Sequence, residues 1–133
     1  MKTSFAKAIQ QWEEANGKNA SSADIIKLNF TIPPIDKLDS QIIQTLISCK
    51  QLSLSTNSIE RMVPITSLKN LQILSLGRNQ IKKIYGLEDV GSNLRELWIS
   101  YNNIDKLDGI APHCTALEVL YIGHNRVIFN YKD

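Results

Sequence analysis

The chain is poor in the side chains that most often carry chemistry. Its 133 residues include two cysteines and two histidines, and aromatic residues make up 7%. Cys49 and Cys114 are too few for a disulfide framework, and they read as reduced thiols of a cytosolic compartment. Neither His113 nor His124 stands at a metal-ligand spacing from a cysteine. No glycine-rich phosphate loop, nucleophile elbow or pair of catalytic carboxylates occurs, so no catalytic residue, cofactor or metal is assigned and no enzyme is expected. Charge of one sign is missing too. Fifteen basic and 13 acidic residues leave a net charge of +2, an even balance that gives no reason to expect nucleic acid or membrane as a partner. No run approaches the roughly 20 apolar residues of a spanning helix. The first residues lack the apolar core and cleavage site of a signal peptide, so the glycosylation patterns at Asn19 and Asn29 are expected to stay unmodified.

What the chain does have is an internal repeat. Leu52-Ser-Leu54-Ser-Thr-Asn57-Ser-Ile59 recurs as Leu74-Ser-Leu76-Gly-Arg-Asn79-Gln-Ile81, as Leu97-Trp-Ile99-Ser-Tyr-Asn102-Asn-Ile104 and as Leu120-Tyr-Ile122-Gly-His-Asn125-Arg-Val127. The asparagines are 22, 23 and 23 residues apart. Cys49, Leu71, Leu94 and Leu117 precede the units by three positions, and apolar residues at spacing three follow the first three. This is the leucine-rich-repeat pattern, and it predicts an α/β solenoid. The alternating leucines form a short strand and face inward, so the strands make a parallel concave sheet. The spacing of three suits short helical or 3-10 returns on the convex side. Asn57, Asn79, Asn102 and Asn125 are expected to form a ladder of side-chain bonds to the backbone that the turn frees.

A degenerate unit precedes these four. Ile25, Leu28, Phe30, Ile35 and Leu38 are read as its apolar positions, with Pro33 where asparagine belongs. Ser40 or Asp39 then caps a predicted helix over residues 41–48 whose buried side is Ile42, Ile43, Leu46 and Ile47. Before it, Phe5, Ala8, Ile9 and Trp12 mark one face of a helix from about Ser4 to Asn16, with Gly17 as its stop. The predicted division is a capping helix and linker over 1–24 and the repeat array over 25–133. The fourth unit lacks a helical return, so a C-terminal cap looks missing and Leu117, Leu120 and Ile122 are expected to border an open end. A shortened chain, a partner that supplies the cap, and terminal residues that fold back would each account for this.

Strand residues between the leucines face outward on the concave side. Across the strands they read Gln51, Ile73, Glu96, Val119, then Ser53, Ser75, Trp98, Tyr121, then Ser55, Gly77, Ser100, Gly123, with Thr56, Arg78, Tyr101 and His124 just beyond. The early strands carry small polar groups and the later ones large aromatic and aliphatic groups. Trp and Tyr combine contact area with few rotors, and a contiguous patch of them marks an interaction site. Ile73, Trp98, Tyr101, Val119 and Tyr121 are therefore candidate protein-binding residues. Arg78 is suited to a charge-assisted bond with an acidic partner.

The runs IPPIDKLD, CKQLSLSTNSIE, LQILSLGRNQIK, LRELWISYNNIDKLDGI and LEVLYIGHN, with WEEANGK in the first helix, resemble the axonemal outer-arm dynein light chains of the leucine-rich-repeat type. That resemblance covers about residues 8–127. It implies a non-catalytic subunit of a ciliary or flagellar motor, located in the cytoplasm and cytoskeleton at the axoneme. Its sheet would hold the dynein heavy chain near the microtubule-binding stalk tip, and by position the resemblance assigns that contact to Ile73, Ser75, Arg78, Glu96, Trp98, Tyr101 and Tyr121, with tubulin or the microtubule as a further expected contact. Family members continue into a C-terminal helical segment where this sequence diverges. A phosphatase regulatory subunit or a spliceosomal-type scaffold of the same repeat class are the competing readings.

Overall fold

The computed structural model describes residues 1–128. The first helix, α1, spans Phe5–Asn16. The Ser4 hydroxyl accepts the Lys7 amide at its start, and Gly17 ends it in the left-handed region at φ +65°. There a side chain would be strained, and glycine is not. Phe5, Ala8, Ile9 and Trp12 are buried in the same apolar core as the repeats, so α1 covers the first turn of the array. The Glu13 carboxylate accepts the Ala20 amide at 2.8 Å, which fixes the short 3-10 turn Ala20–Ser22 against the helix.

Five short strands follow: β1 (Ile25–Lys27), β2 (Gln51–Ser53), β3 (Ile73–Ser75), β4 (Glu96–Trp98) and β5 (Val119–Tyr121). They pair in parallel and in chain order. The near-constant repeat length sets the register of β2 to β5, and with β1 paired to β2, Ile26, Leu52, Leu74, Leu97 and Leu120 form one row across the sheet. The first four of these are buried and Leu120 is 37% exposed. Leu117 and Ile122 are half-buried beside it. A fold-back of terminal residues, one of the three accounts of that end, would fall on 129–133, outside the described residues.

The convex returns follow the 3-10 alternative that the spacing allowed, as short turns rather than helical segments. Between β2 and β3, and again between β3 and β4, the chain makes separate turns in which an amide bonds the carbonyl three residues earlier, as in Leu68 to Ile65, Leu71 to Leu68 and Val90 to Leu87. A period of three keeps every third side chain inward, and Ile65, Leu68, Leu87 and Val90 are all buried. The predicted helix over 41–48 shortens for the same reason. The helix α2 spans only Ser40–Ile43, with the Asp39 carboxylate accepting the Gln41 and Ile42 amides. Leu46 then bonds Ile43 and Cys49 bonds Leu46 at the same spacing. Ile43 and Leu46 are buried, but Ile47 is thrown outward at 55% exposure.

The degenerate first unit is read differently by the structure. Ile26, not Ile25, pairs with Leu52 and is buried, while Ile25 and Phe30 are exposed. The asparagine's place is taken by Thr31, not Pro33: its hydroxyl donates to the Leu28 carbonyl, as Asn57 donates to Leu54. Pro33 and Pro34 are two extra residues that the turn absorbs before Ile35 rejoins the ladder.

Candidate functional site

The asparagine ladder holds the sheet's outgoing edge. In each turn the Asn side-chain amide donates to carbonyls of its own turn and the previous one, and its oxygen accepts an amide from the previous turn. Asn79 donates to Leu54, Leu76 and Gly77 at 3.0–3.2 Å and accepts from Ile59 at 3.0 Å. Asn102 donates to Leu76, Ile99 and Ser100 and accepts from Ile81. Asn57 and Asn125 repeat the scheme at either end. Asn79 and Asn102 are buried, which makes each bond expensive to lose.

The ladder constrains the residue before each asparagine. Thr56, Arg78, Tyr101 and His124 all adopt φ between 54° and 59°, and Phe30 does so at 52° in the first turn. Few non-glycine residues accept this region. Here it turns the chain out of the sheet and aligns these side chains in one column along the concave rim.

The sequence-predicted residues meet on the concave face. Ile73, Glu96 and Val119 lie in one row and Ser75, Trp98 and Tyr121 in the next. The Trp98 and Tyr121 rings stack at a centroid distance of 4.0 Å, at 39% and 48% exposure. The indole N–H donates to the Glu96 carboxylate at 2.9 Å, which fixes the ring's orientation. In the rim column the Arg78 guanidinium sits 4.1 Å over the Tyr101 ring, and Tyr101 stacks on His124 at 4.2 Å. His124 is thus part of the plate, although its chemistry gave no reason to select it. The signal was positional: it precedes the fourth asparagine as Tyr101 precedes the third. Beside the plate lies a shallow groove of about 280 Å³, floored by Ser53, Ser55, Ser75 and Ser100 and walled by Trp98 and Tyr101. Hydroxyls below and flat rings at the side suit a partner's surface side chains.

The cysteines sit elsewhere. Cys49 is fully buried under β2, and burial pushes its thiol up to about 11. Cys114 is half-buried and burial raises its thiol as well, with Glu88 adding to the effect. Both shifts disfavour the thiolate. Among the described residues no group of three or more His, Cys, Asp or Glu side chains is placed to hold a metal ion. No helix among them is long and apolar enough to cross a membrane.

Comparison with known proteins agrees with this architecture. The family model described as "Leucine Rich repeats (2 copies)" matches residues 92–128. Dynein axonemal light chain 1 of Danio rerio is 50% identical over 96 residues, covering 72% of this chain and 50% of that protein. The Homo sapiens protein of that name is 51% identical over 94 residues (71% and 49%), and the Chlamydomonas reinhardtii one 47% over 98 residues (74% and 49%). The chain spans about half the length of the curated relatives it matches. Among solved structures, internalin C2 of Listeria monocytogenes superposes with a TM-score of 0.65 at 26% identity, covering 77% of this chain and 44% of that one. A second internalin of that organism gives 0.64 at 27%, with 80% and 29% covered. The stacked turns, the in-register asparagines and these matches together make the chain a leucine-rich-repeat protein homologous to dynein axonemal light chain 1.

Proposed function

We propose that this chain is a non-catalytic light chain of an axonemal dynein, that its concave face binds the motor heavy chain near the microtubule-binding stalk tip, and that it tunes ciliary or flagellar motility. The observation that carries the reading is the stacked, exposed Trp98–Tyr121 pair on the last two strands of the concave face. Stacked aromatic anchors of this kind dominate binding energy where they occur. Ile73 and Val119 extend the apolar area, Ser75 leaves room beside the rings, and Glu96 holds the indole in place. Arg78 and Tyr101 form the rim, where a charged group meets an acidic partner without full desolvation. The axoneme is the location this reading implies.

The test is direct binding of the purified chain to a recombinant heavy-chain stalk fragment. Removing an anchor costs about 2 kcal/mol or more, about 30-fold in affinity. Trp98→Ala with Tyr121→Ala should therefore abolish measurable binding and leave the melting temperature nearly unchanged, because both rings lie on the surface. Undiminished binding by this double variant would show that the concave face is not the contact. No binding by the unaltered chain would overturn the dynein reading itself.

A further inference from the structure

We infer that the flank of the solenoid just beyond the asparagine ladder is a docking strip for an extended acidic polypeptide segment. The inference is independent of the concave face. The ladder fixes which residues are equivalent. The amides of Ile35, Ile59, Ile81 and Ile104 donate to the side chains of Asn57, Asn79, Asn102 and Asn125, each at 3.0 Å. Their carbonyls accept from Ser58, Gln80, Asn103 and Arg126 of the following turn at 2.7–2.8 Å. The backbones there remain in strand-like contact, about 4.8 Å apart.

Two residues on from each isoleucine stands a cation: Lys37, Arg61, Lys83 and Lys106. All four are exposed. The ion pairs among the described residues are Lys2–Asp36 and Arg95–Glu118, so none of the four has a carboxylate within 4.0 Å. Asp36, the acid beside Lys37, is already held by Lys2 at 3.1 Å, which keeps its carboxyl below the usual range. Like charges stacked in register repel. The column is therefore unfavourable for the isolated chain, and a partner's anions would relieve the repulsion.

Grooves lie between successive members of the column. One of about 360 Å³ is lined by Arg61, Met62, Lys83 and the half-exposed Tyr85. The next, of about 280 Å³, lies between Lys83 and Lys106 over Gly109. The column spans about 14 Å, which matches four or five extended residues at about 3.3 Å each. Glu60, Asp105 and Asp108 are interleaved with the cations. A uniform row of phosphates would meet these acids unfavourably, and Tyr85 alone is no stacking platform for bases. A polypeptide can place carboxylates on the cations and amides on the acids. The near-zero net charge conceals this sorting, because sign is arranged by position within each turn.

The test is fluorescence anisotropy of the intact chain with a labelled octaglutamate peptide at 50 mM salt. Octaglutamine, an oligothymidylate and phosphatidylserine vesicles serve as comparison probes. Lys83→Glu with Lys106→Glu should weaken octaglutamate binding at least 10-fold. Lys50→Glu with Lys69→Glu, the same charge change on a different edge, should change it less than 2-fold. Trp98→Ala with Tyr121→Ala should leave it intact, which separates this strip from the proposed heavy-chain face. Should the reversed pair fail to fold, Lys83→Gln with Lys106→Gln keeps the test open, with a loss of at least 5-fold. Equal losses from both charge-reversed pairs, no octaglutamate binding, or tighter binding to oligothymidylate or vesicles would each overturn the inference.

Discussion

Replacing Asn102 with alanine tests the physical basis of the stack. Asn102 is 6% exposed and makes four bonds to backbone groups of two turns. Truncation does not orphan them equally. The Leu76 carbonyl keeps the Asn79 side chain, the Ile99 carbonyl keeps that of Asn125, and the Ser100 carbonyl keeps the Arg78 amide. The Ile81 amide, on a residue with no exposed surface, loses its acceptor. One orphaned buried amide, together with the net worth of the bonds lost, amounts to about 3 kcal/mol. Asn125→Ala removes the same pattern in the last described turn, where Asn125 covers the Ile104 amide but is itself half-buried beside exposed neighbours, so its truncation opens that amide to water. That variant should lose about 1 kcal/mol. Asn102→Asp separates the donor from the acceptor. It keeps an oxygen for the Ile81 amide but turns a second one toward three carbonyls, so the folded state favours the protonated acid. Its stability should be greatest at low pH and fall as pH rises through the raised folded-state pKa, the reverse of an ordinary salt-bridged aspartate. Urea unfolding at pH 7, with unchanged slope, measures each difference. Equal losses for Asn102→Ala and Asn125→Ala would refute the claim that buried backbone satisfaction holds the turns together.

Close backbone contact between turns gives a second prediction. A Cβ on Gly109 would overlap the Ile84 carbonyl, whereas one on Gly123 meets nothing within 4 Å. Gly109→Ala should therefore cost about 3 kcal/mol and Gly123→Ala less than about 0.5 kcal/mol, read from the same urea midpoints. A third prediction concerns Cys49, whose thiol burial lifts from 9.0 to about 11. The folded chain holds that proton more tightly than the unfolded one, so the contribution is complete below pH 9 and disappears as pH rises through 11. Wild type should lose about 2–3 kcal/mol more than Cys49→Ala over that interval, and parallel pH profiles of the two would contradict the assignment.

The register of β2 to β5 was legible because Leu-x-Leu and asparagine recur at nearly constant spacing and one face must be buried. The rows of the concave face followed directly, with Trp98 beside Tyr121. The first turn was not legible in the same way. Apolar residues at 25, 26, 28 and 30 satisfy both alternations, and only pairing with β2 decides that Ile26 goes in and Ile25 out. The length of α2 was overestimated because isoleucines at 42, 43 and 47 and Leu46 fit a period of 3.6 as well as one of three. The rim column carried no compositional signal. Thr56, Arg78, Tyr101 and His124 share a backbone conformation and no chemistry, so the stacking of His124 on Tyr101 emerges only once the turn is built.

The repeat needs few of its positions for folding, and this explains how one small array presents two faces of different chemistry. The leucines, the isoleucine after each asparagine and the asparagine itself fill the interior. The residues between them are free of that duty. On the concave side the later strands use this freedom for flat rings whose contact energy comes from burying apolar area, a term that moderate salt barely changes. Along the flank the first four turns use it for a cation, whose attraction weakens as the Debye length contracts from about 10 Å at 0.1 M. A partner held by the plate alone should keep its affinity as salt rises, and a partner held by the column alone should lose it. A protein that spans both should lose only the share contributed by Lys37, Arg61, Lys83 and Lys106. The salt dependence of a complex therefore reports which face of the solenoid is engaged.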